Sequence, residues 1–195
     1  MRKVLLQQGS DEWKAWRLNR YTASNAAAVM NCNPWFPKNQ KGLAKLISGQ
    51  QAVRANPYMD AGNRDEAMIR SLIESVSGIS QDPSCWETEV EGLSFGASLD
   101  CFAEETGQIW DIKRPNKGSD SPYFKERSIP QHYYWQLVHQ LICTPAIKAG
   151  LCIYAHDIGE IIFTKSVEKN SEQFQEDSKK LISAWKEFDN LITGF

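Results

Sequence analysis

Phe95-Gly96-Ala97-Ser98-Leu99-Asp100-Cys101-Phe102-Ala103-Glu104-Glu105-Thr106-Gly107-Gln108-Ile109-Trp110-Asp111-Ile112-Lys113 is the stretch from which the fold and the chemistry of this 195-residue chain are both read. Apolar residues fill it on either side of Glu105-Thr106-Gly107, a turn signal, so it reads as a strand from Phe95 to Ala103 returning as a strand from Gln108 to Lys113. Side chains alternate along a strand. Asp111 and Lys113 therefore leave on one face while Ile112 packs on the other. Pairing back across the turn brings Asp100 near Asp111, and two carboxylates at one point repel unless a cation lies between them. Oxygen donors suit a hard ion such as magnesium or manganese better than zinc. An Asp-x-Lys on an exposed strand is ordinarily a solvated face. Here Leu99, Cys101, Phe102, Ile109, Trp110 and Ile112 surround the charges, and charges set among apolar strand residues are more often functional. Removing either carboxylate is expected to relieve repulsion and leave the fold intact.

Outward from this stretch the period changes. Gly9-Ser10-Asp11-Glu12-Trp13 carries an N-cap and early acidic residues, which predicts a helix from about Ser10 to Leu18. Thr22-Ala23-Ser24-Asn25 opens a second short helix over Ala26 to Met30, placing Ser24 at a helix N-terminus, before Pro34 and Pro37 end it. Further helices are expected over Lys41 to Ser48 and, with an apolar stripe of Met68, Ile69, Leu72, Ile73 and Val76, over Asp60 to Val76. Strand character begins at Thr88, and the central strands read as an antiparallel set. A helix from Pro130 to Cys143, strands at Lys148 to Ala155 and Glu160 to Ser166, and a final helix from Ser171 to Ile192 complete the chain. Helices, a small mixed sheet, then helices again define an α/β (α+β) class. With no repeat or linker, residues 1–195 read as one domain.

Composition narrows the function classes only a little. A formal net charge of -2 supplies no overall positive field for nucleic acid, although basic residues gathered on one surface would still serve. Arg114, Lys117, Lys125 and Arg127, just after the Asp111 strand, are candidates for backbone contacts. Five cysteines, with no CxxC pair, argue against zinc and against a disulfide framework. His132, His139 and His156 have no metal-pair spacing and receive no catalytic role. The N-terminus turns polar at Gln7-Gln8, and no later run is long enough to span a bilayer, so a cytoplasmic protein without a membrane partner is expected.

Asp100, a short turn, and Asp111-Ile112-Lys113 together resemble the core motif of the restriction-endonuclease-like nucleases: Asp, then Asp or Glu, any residue, and Lys. Four segments, in order, are similar to one branch of these, the lambda-type exonucleases or YqaJ-type viral recombinases. They are Trp16-Arg17-Leu18-Asn19-Arg20-Tyr21-Thr22-Ala23-Ser24, Gly62-Asn63-Arg64-Asp65-Glu66, the Asp100 to Lys113 hairpin, and His132-Tyr133-Tyr134-Trp135-Gln136-Leu137.

The resemblance implies a restriction-endonuclease-like core, a small mixed central sheet flanked by helices. It implies a 5′ to 3′ exonuclease that degrades one strand of duplex DNA from its end and leaves 3′ single-stranded tails for phage-type recombination. Asp100, Asp111, the Ile112 carbonyl and Glu66 would hold magnesium, with manganese as a substitute. Lys113 would position and help deprotonate the attacking water, and Gln136 would orient groups around it. Arg17 and Ser24 would hold the 5′-phosphate of the DNA end, a role that a helix N-terminus at Ser24 would support. A ring of three subunits and a phage single-strand annealing protein as partner are also implied. This sequence has Leu99 where many relatives have Pro, and Gln140 where many carry Tyr, so either Gln136 or Gln140 could be the amide that faces the metal. An endonuclease or repair-type nuclease of the same superfamily, or a non-catalytic DNA-end-binding protein, would carry much of the same pattern.

Overall fold

The structure, a computed structural model, describes residues 1–52 and 57–194. In chain order its elements are β1 (Arg2–Val4), α1 (Asp11–Leu18), β2 (Tyr21–Thr22), α2 (Ala26–Val29), α3 (Gln40–Ile47), α4 (Pro57–Ser77), β3 (Ser84–Val90), β4 (Leu93–Leu99), β5 (Cys101–Ala103), β6 (Gln108–Lys113), α5 (Pro122–Glu126), α6 (Gln131–Cys143), β7 (Lys148–Ala155), β8 (Glu160–Phe163), β9 (Val167–Glu168) and α7 (Glu172–Thr193). Among the described residues three helices begin at side-chain caps. Ser10 accepts from Trp13 N, Asn39 from Gly42 N and Ser171 from Phe174 N, each satisfying an amide that has no partner inside its helix.

The strands form two sheets, ordered β1-β3-β4-β2 and β5-β6-β7-β8, with β9 pairing the far end of β7. The central strands are thus not wholly antiparallel. β3/β4 and β5/β6 are antiparallel hairpins, but β6 runs parallel to β7, and β2 parallel to β4. A parallel pair needs a crossover, and the chain between Lys113 and Lys148 supplies it as α5 and α6. The single strand expected over Phe95 to Ala103 is two, β4 in one sheet and β5 in the other, broken at Asp100. There the aspartate carboxylate itself accepts the Ile112 N–H at 2.8 Å, so a side chain stands where a ladder carbonyl would otherwise. The short elements β1, β2, β9 and α5 were not expected, since none is long enough to show a period. β3 starts at Ser84 instead of Thr88, and β8 stops at Phe163 instead of Ser166.

The two faces of β6 are covered by different helices. Ile109 joins a core that includes Phe95, Leu99 and Leu151 with Leu137, Val138 and Leu141 of α6 and Leu181, Trp185 and Phe188 of α7. Trp110 and Ile112 pack on the opposite face with Cys101, Cys152, and Ile69 and Ile73 of α4. Each fully buried Leu, Ile or Phe contributes on the order of 1.5–3 kcal/mol, so both helices are firmly seated on the strand that carries Asp111. Gly150 lies opposite Trp110 in the parallel ladder. A Cβ there would come within 2.6 Å of the indole, so glycine is what admits the ring. All five cysteines are free thiols, four of them buried. Among the described residues no helix is long and apolar enough to cross a membrane.

Candidate active site

Registry places the two aspartates together. Cys101 pairs with Trp110 in the β5/β6 hairpin, so one step further along the ladder Asp100 faces Asp111. An Asp100 oxygen is fixed by the Ile112 N–H, and its backbone carbonyl accepts Arg70 Nε at 2.8 Å. Within a strand the N–H and C=O of one residue point toward the same edge, so the Ile112 carbonyl also faces the Asp100 side. Burial first, then the charge of Asp111, push the Asp100 carboxyl up to about 8 despite the pull of Lys113.

Asp111, 1% exposed, is gripped from α6. Its Oδ1 accepts Gln136 Nε2 at 2.7 Å and Gln140 Nε2 at 2.8 Å. Both amides face the site because residues four apart share a helix face. Their roles differ. Gln136 also accepts from Lys113 Nζ at 3.4 Å, bridging acid and base, whereas the fully buried Gln140 touches only the acid and leaves its own Oε1 without a partner. Asp111 Oδ2 lies 2.5 Å from Lys113 Nζ. The contact is an ion pair, and this oxygen is sealed from water.

Lys113 Nζ also sits 4.7 Å from the centre of the Tyr133 ring, a cation–π contact. Burial pushes its pKa down, but Asp111, Tyr133 and Asp100 outweigh that, and the net displacement is upward. In this arrangement Lys113 is a firmly held ammonium. From there it can orient an oxygen that approaches Asp111.

Glu66 reaches the site from α4, on the other face of the sheet. Arg70, one helical turn on, donates to it at 2.6 Å. Burial raises the Glu66 pKa, Arg70 draws it down and Asp111 raises it again, the net effect being upward. Arg70 was missed by sequence reasoning, although the Glu66-to-Arg70 spacing was visible as an i,i+4 pair. Tyr133 was also missed. Its place beside Lys113 depends on how α6 lies on β6, which no local pattern records.

Asp100 and Asp111 offer hard oxygen donors, with the Ile112 carbonyl beside them and Asp111 Oδ2 met only by the Lys113 ammonium. That chemistry fits a divalent cation. The side chains do not enclose one unaided, because among the described residues no three His, Cys, Asp or Glu groups converge on a single point. Glu66 is engaged with Arg70 and Asp111 Oδ2 with Lys113, so a cation would have to displace those partners.

Arg17 and Ser24 are brought together. Arg17 Nη2 donates to Ser24 Oγ at 2.7 Å, and the guanidinium stacks 4.5 Å over Trp13, whose Nε1 donates to Ser98, two residues before Asp100. Ser24 is exposed, and its hydroxyl also lies 3.3 Å from Thr22 Oγ1, where either oxygen can donate. The expectation that Ser24 caps a helix is corrected. Ser24 lies in a single 3-10 turn over Ala23–Asn25, its hydroxyl makes no capping bond, and α2 beyond it has only four residues. So short a helix adds little dipole, and anion recognition here would rest on the side chains. Of the four basic candidates after β6, Arg114 is paired with Asp65 and Lys125 with Asp120. Lys117 and Arg127 make no ion pair among the described residues.

The fold around this site is a restriction-endonuclease-like one, shared with solved structures described as exonucleases. A crystal structure of an alkaline exonuclease from Laribacter hongkongensis matches with a TM-score of 0.75 and 22% identity, covering 94% of this chain and 95% of that one. The same enzyme in complex with dAMP matches at 0.74 and 21%, again over 94% and 95% of the two chains. A phage related exonuclease from Haemophilus somnus 129PT matches at 0.67 and 13% identity, over 90% and 96%. No curated protein sequence is significantly similar. Residues 12–146 match the YqaJ-like viral recombinase domain, and the chain belongs to that family.

Proposed function

We propose that the protein is a metal-dependent 5′ to 3′ exonuclease that digests one strand of duplex DNA from its end, leaving 3′ tails for recombination. The observation that carries this reading is the arrangement around Asp111: one oxygen held by two amides, the other beside a half-buried ammonium, and a second carboxylate opposite. A buried array of that cost has a ready account as the holder of a cation and a phosphate. The descriptions of the proteins that share the fold, alkaline exonuclease and phage related exonuclease, support it, as does membership of a viral recombinase family.

Asp100, Asp111 and the Ile112 carbonyl would hold magnesium, with manganese as substitute and Glu66 completing the set. Bound there, the ion would supply Lewis acidity, strengthening water as an acid and neutralising charge on the phosphate. The chain's own groups do the rest. Gln136 and Gln140 fix the Asp111 carboxylate so that it need not reorganise during the reaction. Lys113 brings a positive charge to the attacking side and orients the nucleophile, its direction set by Asp111, Gln136 and the face of Tyr133. Arg17 and Ser24 would take the 5′-phosphate and so set the polarity. A ring of three subunits and a phage annealing partner rest on the family resemblance alone.

Linear duplexes labelled at the 5′ or 3′ end, incubated with magnesium or with EDTA, test the reading. Early loss of the 5′ label, with the 3′ label retained on shortening strands and no reaction in EDTA, is expected. Internal fragments would instead favour an endonuclease.

A further inference from the structure

Trp35 is 57% exposed, and among the described residues it is the only aromatic of the large apolar side chains left in water. It is not on a loose segment. The loop joining α2 to α3 is pinned at its neck by Asn33 Nδ2 donating to the Pro37 carbonyl at 2.8 Å, and at its end by Gln40 donating to the Val29 carbonyl at 3.1 Å and to Asn31 at 3.3 Å. The indole is therefore held up, outside the core, by a braced loop.

What lies beneath it leads to the active site. Trp35 meets His132 edge-on at 5.1 Å and Tyr133 at 6.4 Å between ring centres, and Tyr133 carries Lys113 Nζ 4.7 Å above its ring. The Trp35 ring is then no more than ~11 Å from the ammonium, about three nucleotide steps along a stacked strand. The same loop runs into a hollow of about 360 Å³ lined by Phe36, Lys38, Lys41 and Lys45, three lysines without an ion pair among the described residues. One loop thus carries an exposed indole at Trp35 and, from Phe36 onward, lines a basic hollow, the two elements that bind single strands without regard to sequence: rings take the bases, lysines the phosphates.

We infer that Trp35 is a base-stacking residue, receiving an unpaired DNA base within about three nucleotides of the bond to be cut. The inference rests on the nuclease reading above and adds to it a substrate-positioning residue. Stacking on an indole is indifferent to base identity, which suits an enzyme that digests whatever strand it enters.

The test uses the full chain and a duplex whose short unpaired 5′ extension carries 2-aminopurine, bound in EDTA so that no cutting intervenes. Wild type should quench the probe, Trp35→Ala should not, and Trp35→Phe should restore most of the quench. With magnesium, Trp35→Ala should raise KM about tenfold with kcat little changed, and Trp35→Phe should recover most of the loss. Digestion by wild type together with an unquenched probe, an unchanged KM in Trp35→Ala, or no rescue by Phe would overturn the inference while leaving the nuclease reading intact. So would a change in solution mass of Trp35→Ala, which would assign the indole to contacts between subunits. A wild-type protein that neither binds nor digests DNA would remove both.

Discussion

Asp100 and Asp111 face each other but do not stand alike in the structure. Asp100 is pushed toward neutrality by burial and by its neighbours, whereas Asp111 answers two amides and an ammonium. The expectation that removing either would spare or stabilise the fold therefore divides. Asp100→Asn removes a disfavoured charge, keeps an acceptor for the Ile112 N–H, and should leave the melting temperature unchanged or higher. Asp111→Ala leaves the half-buried Lys113 without its ion-pair partner and should lower stability in chemical denaturation. Equal destabilisation by the two would contradict these assignments. Lys113→Ala should slow cleavage severely while magnesium affinity stays the same or tightens, since the variant frees Asp111 Oδ2. Calorimetric titration showing affinity lost together with rate would make Lys113 part of the metal site. The acid pair and Lys113 could be singled out in the sequence because strand alternation and turn chemistry are local, whereas Gln136, on a helix, was named only through the family resemblance. Arg70 and Tyr133, and the double grip of Gln136 and Gln140, depend on which helix faces which side of β6.

That sandwiching of β6 between α4 and α6 is what the longer sequence patterns did and did not contain. The apolar stripes of α4 and α7 and the alternation of β6 were legible as periods, while the parallel β6/β7 pairing and the break between β4 and β5 are tertiary facts. α6 brings a further consequence through His139, which is wholly buried, accepts from Trp185 Nε1 at 3.2 Å and stacks on Phe95 at 4.7 Å. Burial lowers its pKa to about 3, with backbone groups of Tyr21 and Gly96 opposing weakly. Between the ordinary value of 6.5 and about 3 the unfolded chain binds a proton that the native chain refuses, so stability falls as pH drops through that window and is fully present above it. Denaturation midpoints measured from pH 7.5 to 4 should show a steeper decline for wild type than for His139→Phe. Parallel curves would mean that the imidazole accepts a proton in place.

Taken as one body, the protein has a formal net charge of -2 and must approach a polyanion through local features. The Arg17–Ser24 pair, Lys117 and Arg127, which make no ion pair among the described residues, and the basic hollow by α3 are separate patches that no sum over the chain reveals. An Arg fork that takes two phosphate oxygens should favour a 5′-phosphoryl end over a 5′-hydroxyl end by roughly ten- to a hundredfold, the value of a charged hydrogen bond. Arg17→Ala should erase that preference, and equal wild-type rates on the two ends would remove the receptor role and the polarity it implies. The most direct test of the central claim is digestion of a linear 5′-phosphorylated duplex by wild type and Asp100→Asn, side by side in magnesium. Wild type should release nucleotides and the variant, folded and melting no lower, should release none. Digestion by the variant at the wild-type rate would contradict the site assigned to Asp100, Asp111 and Lys113.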